Sequence, residues 1–187
     1  MKNPLVIAFA IFALSGCTST NALGAADDST TQPQRASVSG YRANVTDKNI
    51  GTNNADFTAT GIVTAIGDEQ SYTFTDTVTG NESAAIYYRD VTIQVLSNHG
   101  SIGSEFNLMV PSDFDPKLDI SALSVGDRIV VAGYDGEERN GVIDNGAAYV
   151  GEIDVNGGTV HSLFVGDQPE IKLATVLDAY GLPAISS

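Results

Sequence analysis

The chain from residue 57 to residue 165 is patterned as a series of short strands separated by polar turns. In most of these strands apolar and polar residues alternate, and this period of two predicts half-buried β-strands because successive side chains point to opposite faces. Ile129-Val130-Val131 is instead an unbroken β-branched run, which is typical of a strand buried on both faces. The predicted strands are 57–66, 71–79, 85–97, 106–110, 127–133, 147–155 and 159–165.

Glycines and other turn residues mark where these strands bend and end. Gly61 lies in the middle of the first strand and predicts a bend or bulge there, because interior glycines mark such positions. Residues 97–101 and 134–136 predict turns. Residues 116–123 fit neither the strand period nor the helix period, so they predict one short helical turn or a packed loop.

A helical spacing of apolar residues follows the last strand. Asp167 is the predicted N-cap, with Glu170 three residues later as in a capping box, and Gly181 and Pro183 predict the stop. We expect this helix to pack its apolar stripe on the sheet, and a partner-docking helix is the alternative. The stripe consists of Leu173, Val176, Leu177 and Tyr180.

The N terminus carries a targeting pattern. One lysine precedes an apolar run, residues 5–14, which is too short to span a bilayer as a helix. The run ends in Leu14-Ser15-Gly16-Cys17, which resembles the lipobox of bacterial lipoproteins. The resemblance implies that residues 1–16 are a signal peptide and that Cys17 becomes the lipidated first residue. An ordinary secretory signal with a chance cysteine is the alternative.

The lipobox also implies a location. Thr18 follows the cysteine where an Asp would imply retention in the inner membrane, so the resemblance implies an outer-membrane anchor facing the periplasm. Cys17 is the single cysteine, which excludes an intramolecular disulfide. Residues 17–55 contain few large apolar side chains and predict a disordered tether that holds the folded part off the membrane.

Composition restricts the class of partner. The chain has 187 residues, which suits one domain with tails, and its 9 Lys and Arg against 23 Asp and Glu give a net charge of −14. A polyanion gains nothing from counterion release on meeting nucleic acid, so we exclude nucleic acid as a partner. The expected partners are the membrane, through the lipid anchor, and a protein or glycan of the cell envelope.

The order of elements over about residues 56–155 resembles an OB-fold, and we place the OB-like domain at residues 56–165. The resemblance rests on a bent glycine-containing strand, two further strands, a loop segment, and the 123–131 pattern Leu-Ser-Val-Gly-Asp-Arg-Ile-Val-Val. It implies a mainly β protein with a small OB-like β-barrel of five to seven strands, followed by a C-terminal α-helix in residues 166–187. OB-folds bind oligonucleotides or oligosaccharides. Tyr87 and Tyr88 supply aromatic side chains, but the basic groove of single-strand binders is missing.

No motif in the chain predicts catalysis or a cofactor. His99 and His161 are the two histidines, and they are too far apart in sequence to suggest a zinc site or a hydrolase triad. Calcium prefers oxygen ligands at alternating positions, so one acidic cluster is a weak candidate for a calcium site. We interpret this cluster as a solvated loop and predict no metal site. The cluster comprises Asp113, Asp115 and Asp119, with Asp135, Glu137 and Glu138 nearby.

We therefore expect a non-catalytic binding or envelope-assembly module. The alternative is a cell-envelope glycan hydrolase that uses paired carboxylates. An acid pair facing a pocket would favour the hydrolase, whereas an exposed apolar or tyrosine-bearing face would favour binding.

Overall fold

The computed structural model describes residues 38–39, 43–52, 55–73, 80–82, 84–115, 117–139 and 142–185. For residues 38–39, 114–115, 137–139 and 142–145 only the backbone is described. No helix among the described residues is long and apolar enough to cross a bilayer. The predicted signal peptide and Cys17 lie outside the described residues.

Ten strands and one helix make up the described part of the chain. The strands are β1 (Val38–Ser39), β2 (Phe57–Ile66), β3 (Gln70–Tyr72), β4 (Ile86–His99), β5 (Glu105–Pro111), β6 (Phe114–Asp115), β7 (Arg128–Arg139), β8 (Val142–Asp154), β9 (Thr159–Ser162) and β10 (Glu170–Lys172). The helix is α1 (Leu173–Ala179). The prediction of a mainly β protein with a C-terminal helix is confirmed.

Eight strands form one sheet, in the order β10-β9-β8-β5-β4-β2-β7, with β3 paired to β4. β7 makes an additional pairing with β8. The pairs within this sheet are antiparallel except for β5 with β8. β1 and β6 form a separate parallel pair. The finer expectation of a barrel of five to seven strands stays a prediction.

The first long strand contains the irregularity that the sequence predicts. The pairing of β2 with β4 shifts register between Thr60 and Gly61. A Cβ atom on Gly61 would lie 2.7 Å from the carbonyl oxygen of Gln94, so a larger residue would not fit without movement. The prediction of a bulge at Gly61 is confirmed.

Apolar side chains form two clusters, one on each face of β7 and β8. We call the cluster that contains Val131 and Val150 the inner cluster, and the cluster that contains Val130 and Tyr149 the outer cluster. Alternate residues of the same strands therefore enter different cores, as the pleat of a strand requires. The prediction that the 129–131 strand is buried on both faces is confirmed, since all three side chains are at most 1% exposed.

Several predicted boundaries were wrong because strand pairing extends further than the turn signals suggest. β4 continues to His99, and the chain turns at Gly100, whose φ is 107°. β7 runs through the predicted 134–136 turn, because the strand pairs with β8 again from Glu137 after an irregularity. β3 covers only two residues of the predicted 71–79 strand, Ser71 and Tyr72, and residues 74–79 lie outside the described part.

The segment before β7 is a packed loop. The described residues 117–127 contain no helix, and Leu118 forms an isolated bridge with Phe164. Leu118 and Leu123 are both buried in the inner cluster. Of the two alternatives for residues 116–123, the structure supports the packed loop over residues 117–123.

The C-terminal helix begins later than predicted. Residues 170–172 form β10, which pairs with β9, and Lys172 is the N-cap without a side-chain capping bond. The predictions of an Asp167 cap and an Asp167–Glu170 capping box were therefore wrong. Pairing with β9 satisfies the backbone hydrogen-bonding groups of residues 170–172, so these residues form a strand and not the first turn of the helix.

The end of the helix agrees with the sequence. The N–H of Leu182 donates to the Leu177 carbonyl oxygen at 2.8 Å, and the N–H of Gly181 donates to that of Asp178 at 3.1 Å. These are the two bonds of a Schellman motif, and Gly181 has the required positive φ of 65°. The predicted packing of the helix stripe is confirmed because its residues lie in or against the outer cluster. These residues are Leu173, Val176, Leu177 and Tyr180.

Part of the predicted tether packs against the sheet. Val45 and Ile50 are buried in the outer cluster, although they lie in the segment expected to be disordered. Two apolar residues at a spacing of five form no recognisable period, so the sequence pattern does not reveal this packing. The tether prediction thus fails for residues 43–52, and residues 17–37 lie outside the described part.

Candidate binding face

The clearest candidate site is the solvent side of the sheet formed by β2, β3, β4 and β5. Val91 and Ile93 of β4 point into the inner cluster, so the even-numbered residues of that strand point away from it. On β5, Phe106, Leu108 and Val110 point into the inner cluster, so the odd-numbered residues of that strand lie on the solvent side. We call this side the β2–β5 face. It is defined by Ile62, Ala65, Gln70, Tyr72, Tyr88, Asp90, Thr92, Gln94, Glu105, Asn107 and Met109.

Register places these residues in rows across the strands. Ala65, Thr92 and Asn107 form one row, because Thr92 pairs with both of the others. A second row consists of Ile62, Gln94 and Glu105. Directly opposed side chains on one face are about 4.5–5.5 Å apart at Cβ, so each row can contact a single ligand.

The chemistry of this face is mostly neutral and polar. Thr92, Asn107, Gln94 and Gln70 supply hydroxyl and amide groups that both donate and accept hydrogen bonds. Asp90 and Glu105 add two carboxylates, and Arg128 of β7, which pairs with Ile62, adds one guanidinium at the edge of the face. The face therefore suits a ligand rich in hydroxyl groups and disfavours a polyanion.

Aromatic side chains lie at one end of the face. The rings of Tyr72 and Tyr88 meet edge to face, with centroids 5.6 Å apart. Tyr88 is buried, whereas Tyr72 is partly exposed and can contact a ligand. Tyr87 points to the opposite side of β4, so the structure does not bring the two predicted tyrosines together. Tyr72, which sequence reasoning did not single out as a candidate, is the accessible aromatic residue here.

Polar contacts hold this end of the sheet in place. The Ser112 hydroxyl donates to Oε1 of Glu69 at 2.6 Å, and the N–H of Ser112 donates to the Tyr87 carbonyl oxygen at 2.8 Å. The N–H of Gly67 donates to the carbonyl oxygen of Asp90 at 2.8 Å. The chain before β3 is thus tied to β4 and to the residue after β5, which positions Tyr72 over the sheet.

The acidic cluster does not converge on a common point in the described residues. The carboxylate of Asp119 accepts bonds from the hydroxyl of Ser121 at 2.6 Å and from its N–H at 3.0 Å. The Ser121 hydroxyl, the Ser121 N–H and the nearby charge of Lys117 hold the pKa of Asp119 below its ordinary value. Asp113 is exposed, and only the backbone of Asp115 is described.

Among the other acids near this cluster, Asp135 has a described side chain. The N–H of Asp135 donates to Oδ2 of Asp56 at 3.1 Å, which fixes that carboxylate to the backbone. For Glu137 and Glu138 only the backbone is described. No group of three His, Cys, Asp or Glu side chains among the described residues could hold a metal ion.

The structure places the histidines apart and gives one of them acidic neighbours. His99 is exposed at the end of β4. His161 of β9 lies directly opposite Glu152 of β8 and Glu170 of β10. Two strand spacings separate the glutamates, or about 9–10 Å. This row was missed because residues on three strands become neighbours only through register, which the sequence pattern does not show.

The row around His161 lies on open sheet. His161 and Glu170 are exposed, and Glu152 is half-buried. The predicted lipidation site, Cys17, lies outside the described residues.

Comparison of the chain with protein-family models, with curated proteins and with solved structures finds no match.

Proposed function

We propose that this protein is a lipid-anchored outer-membrane lipoprotein that faces the periplasm and acts as a non-catalytic binding module. The binding surface in this proposal is the β2–β5 face, and its ligand is a neutral, hydroxyl-rich glycan of the cell envelope. The observation that carries the proposal is the uncharged row Ala65–Thr92–Asn107, which lies on the same face as the aromatic side chain of Tyr72.

The pairing of five strands supports an OB-like arrangement. β2 pairs with β4, β4 with β5, β5 with β8, β8 with β7, and β7 with β2. One parallel pair, β5 with β8, brings strands from the two halves of the domain together. On an OB-like barrel the expected ligand surface is the face of its second and third strands, which here would be β4 and β5.

The N-terminal sequence supports the anchor. Leu14-Ser15-Gly16-Cys17 follows an apolar run at the position where lipoproteins are processed. Two or three acyl chains anchor a protein stably, whereas one chain does so only marginally. A lipidated Cys17 would keep the module next to the envelope glycan that we propose as its ligand.

Co-sedimentation with purified cell-wall sacculi tests this function. We expect the full-length protein to sediment with sacculi, and Tyr72→Ala and Asn107→Ala to weaken binding about fivefold each, because each removes about 1 kcal/mol of contact. Asp178→Ala on the exposed side of α1 is the matched control and should bind like the wild type. Failure of the wild type to sediment, or equal binding by all variants, contradicts the proposed glycan ligand.

A hydrolase is the second candidate function, and the row Glu152–His161–Glu170 is the observation that favours it. The strand spacing puts the two glutamates close to the carboxyl separation of inverting glycosidases, which is about 6.5–9.5 Å. The row lies on open sheet, so we rank this function below binding. Release of soluble sugar from sacculi by the wild type, abolished in Glu152→Gln and Glu170→Gln, would establish the hydrolase instead.

A further inference from the structure

Residues 43–52, which we call the strap, form a structured segment before the first long strand. The N–H of Thr46 donates to Oδ1 of Asn49 at 2.6 Å, and the side-chain amide of Asn49 donates to the Asn44 carbonyl oxygen at 2.9 Å. The N–H of Ile50 donates to the Thr46 carbonyl oxygen at 2.9 Å. These local bonds give the strap its own turn structure, independent of the sheet.

Two adjacent residues of the chain between β9 and β10 hold the strap. The N–H of Val45 donates to Oδ1 of Asp167 at 2.8 Å, and the N–H of Gln168 donates to the Val45 carbonyl oxygen at 2.8 Å. The N–H of Asp47 donates to Oε1 of Gln168 at 3.1 Å. These contacts concentrate the polar attachment of the strap at a single point.

The Asp167 carboxylate is itself positioned by the sheet. Asp167 is 9% exposed, and its Oδ2 accepts a bond from the Ser162 hydroxyl at 2.7 Å at the end of β9. A buried carboxylate that accepts a backbone N–H makes a stronger bond than a neutral acceptor. Asp167 therefore connects β9 to the strap through its two oxygens.

The strap covers apolar surface on the outer side of the sheet. Val45 and Ile50 pack in the outer cluster with Tyr149, Val160 and residues of α1. A Cβ atom on Gly51 would lie 2.7 Å from the Ala179 carbonyl oxygen, so the strap also lies against the end of α1. Removal of the strap would expose part of this cluster to water.

We propose that Asp167 is a latch, and that the strap detaches locally and exposes the apolar outer face while the sheet stays folded. The strap precedes β2 and contributes no strand to the eight-stranded sheet, so its release breaks no strand pairing. Only two of its side chains are buried apolar residues, and segments with few such contacts open at lower free energy than the core. The chain enters the strap from the N-terminal side, after the β1–β6 pair, so tension there would act on that pair and then on the latch.

Native-state proteolysis of the full-length protein tests the latch. Lys48 is an exposed trypsin site within the strap, and Arg128 at the start of β7 is a comparison site in the sheet. We expect Asp167→Ala to raise the rate of cleavage after Lys48 on the order of ten- to a hundredfold, because it removes a charge-assisted bond. Cleavage after Arg128 should keep the wild-type rate.

Three further variants make the test specific. Asp167→Asn keeps an acceptor for the Val45 N–H but loses the negative charge, so it should raise the rate of cleavage after Lys48 less than Asp167→Ala does. Gln168→Ala removes the bond from the Asp47 N–H and the bond that the Gln168 side-chain amide donates to the Glu170 carbonyl oxygen, keeps the backbone bond to Val45, and should give a smaller rise. Asp154→Ala is the matched control, because the Asp154 carboxylate also accepts hydrogen bonds from the backbone, but from two N–H groups of its own turn.

Hydrogen exchange separates a latch from a general loss of stability. In Asp167→Ala, exchange should accelerate at the amides of Val45, Asp47 and Ile50 and stay unchanged at Val130 and Val131. An equal acceleration in the strap and in β7, a variant that unfolds as a whole, or an unchanged rate of cleavage after Lys48 overturns the proposal.

Discussion

Gly61 and Ile93 approach each other so closely across β2 and β4 that a Cβ atom on Gly61 would clash with Cγ2 of Ile93. Gly61→Ala should therefore lower the free energy of unfolding by about 1–3 kcal/mol, because the added methyl group overpacks the bulge. Gly103→Ala is the control, since its added Cβ would lie no closer than 3.5 Å to its neighbours. Urea denaturation of both variants gives the comparison. A stability of Gly61→Ala equal to that of Gly103→Ala would show that the bulge tolerates a side chain.

Gly181 ends the helix through its backbone conformation. A Cβ atom on it would meet nothing within 4 Å, so any cost of substitution comes from its φ of 65°. Gly181→Ala should lower stability by about 1 kcal/mol, whereas Gly181→Asn should cost less because Asn tolerates the left-handed region. Thermal unfolding measures both. Equal melting temperatures for the wild type and Gly181→Ala would contradict this account of the helix end.

Val131 tests the burial of the central strand. Its side chain is 1% exposed within the inner cluster, so Val131→Asp places an unpaired charge in the core and costs several kcal/mol. A typical domain is stable by only about 5–15 kcal/mol, so this variant should be largely unfolded by circular dichroism. Val125→Asp is the matched control, because Val125 is 64% exposed in the turn before β7. A folded Val131→Asp protein would contradict the burial of this strand.

The folded unit includes the strap and so begins before residue 56, where the sequence pattern predicts its start. A chain beginning at residue 43 should melt close to the full-length protein, whereas a chain beginning at residue 56 loses the strap and uncovers part of the outer cluster. Burial of a side chain such as Val45 or Ile50 contributes about 1.5–3 kcal/mol, so the shorter chain should melt at a clearly lower temperature. Identical melting temperatures for the two chains would show that the strap adds nothing to stability.

The sequence predicts features that depend on local pattern. The alternation in β4, the β-branched run at 129–131 and the glycine in β2 each specify burial or a bend through residues close together in the chain. The end of α1 is also predictable from local sequence, because glycine adopts the positive φ of Gly181 without help from a tertiary partner.

Features that depend on distant partners could not be predicted in the same way. The Asp167–Glu170 spacing matches a capping box, yet Asp167 bonds to Val45, 122 residues away, and residues 170–172 pair with β9. Tertiary pairing here overrides a local signal. The row Ala65–Thr92–Asn107 likewise arises from the register of three strands, and that register depends on the bulges in β2.

The central claim is that Cys17 carries a lipid that anchors the binding module in the membrane. Metabolic labelling of growing bacteria with a radioactive fatty acid, followed by membrane fractionation, tests this claim most directly. We expect the wild type to incorporate label and to fractionate with the outer membrane, and Cys17→Ser to lose both the label and normal processing. Ser15→Thr, which keeps the cysteine, should still be labelled. A labelled, membrane-bound Cys17→Ser protein, or an unlabelled wild type, would contradict the account.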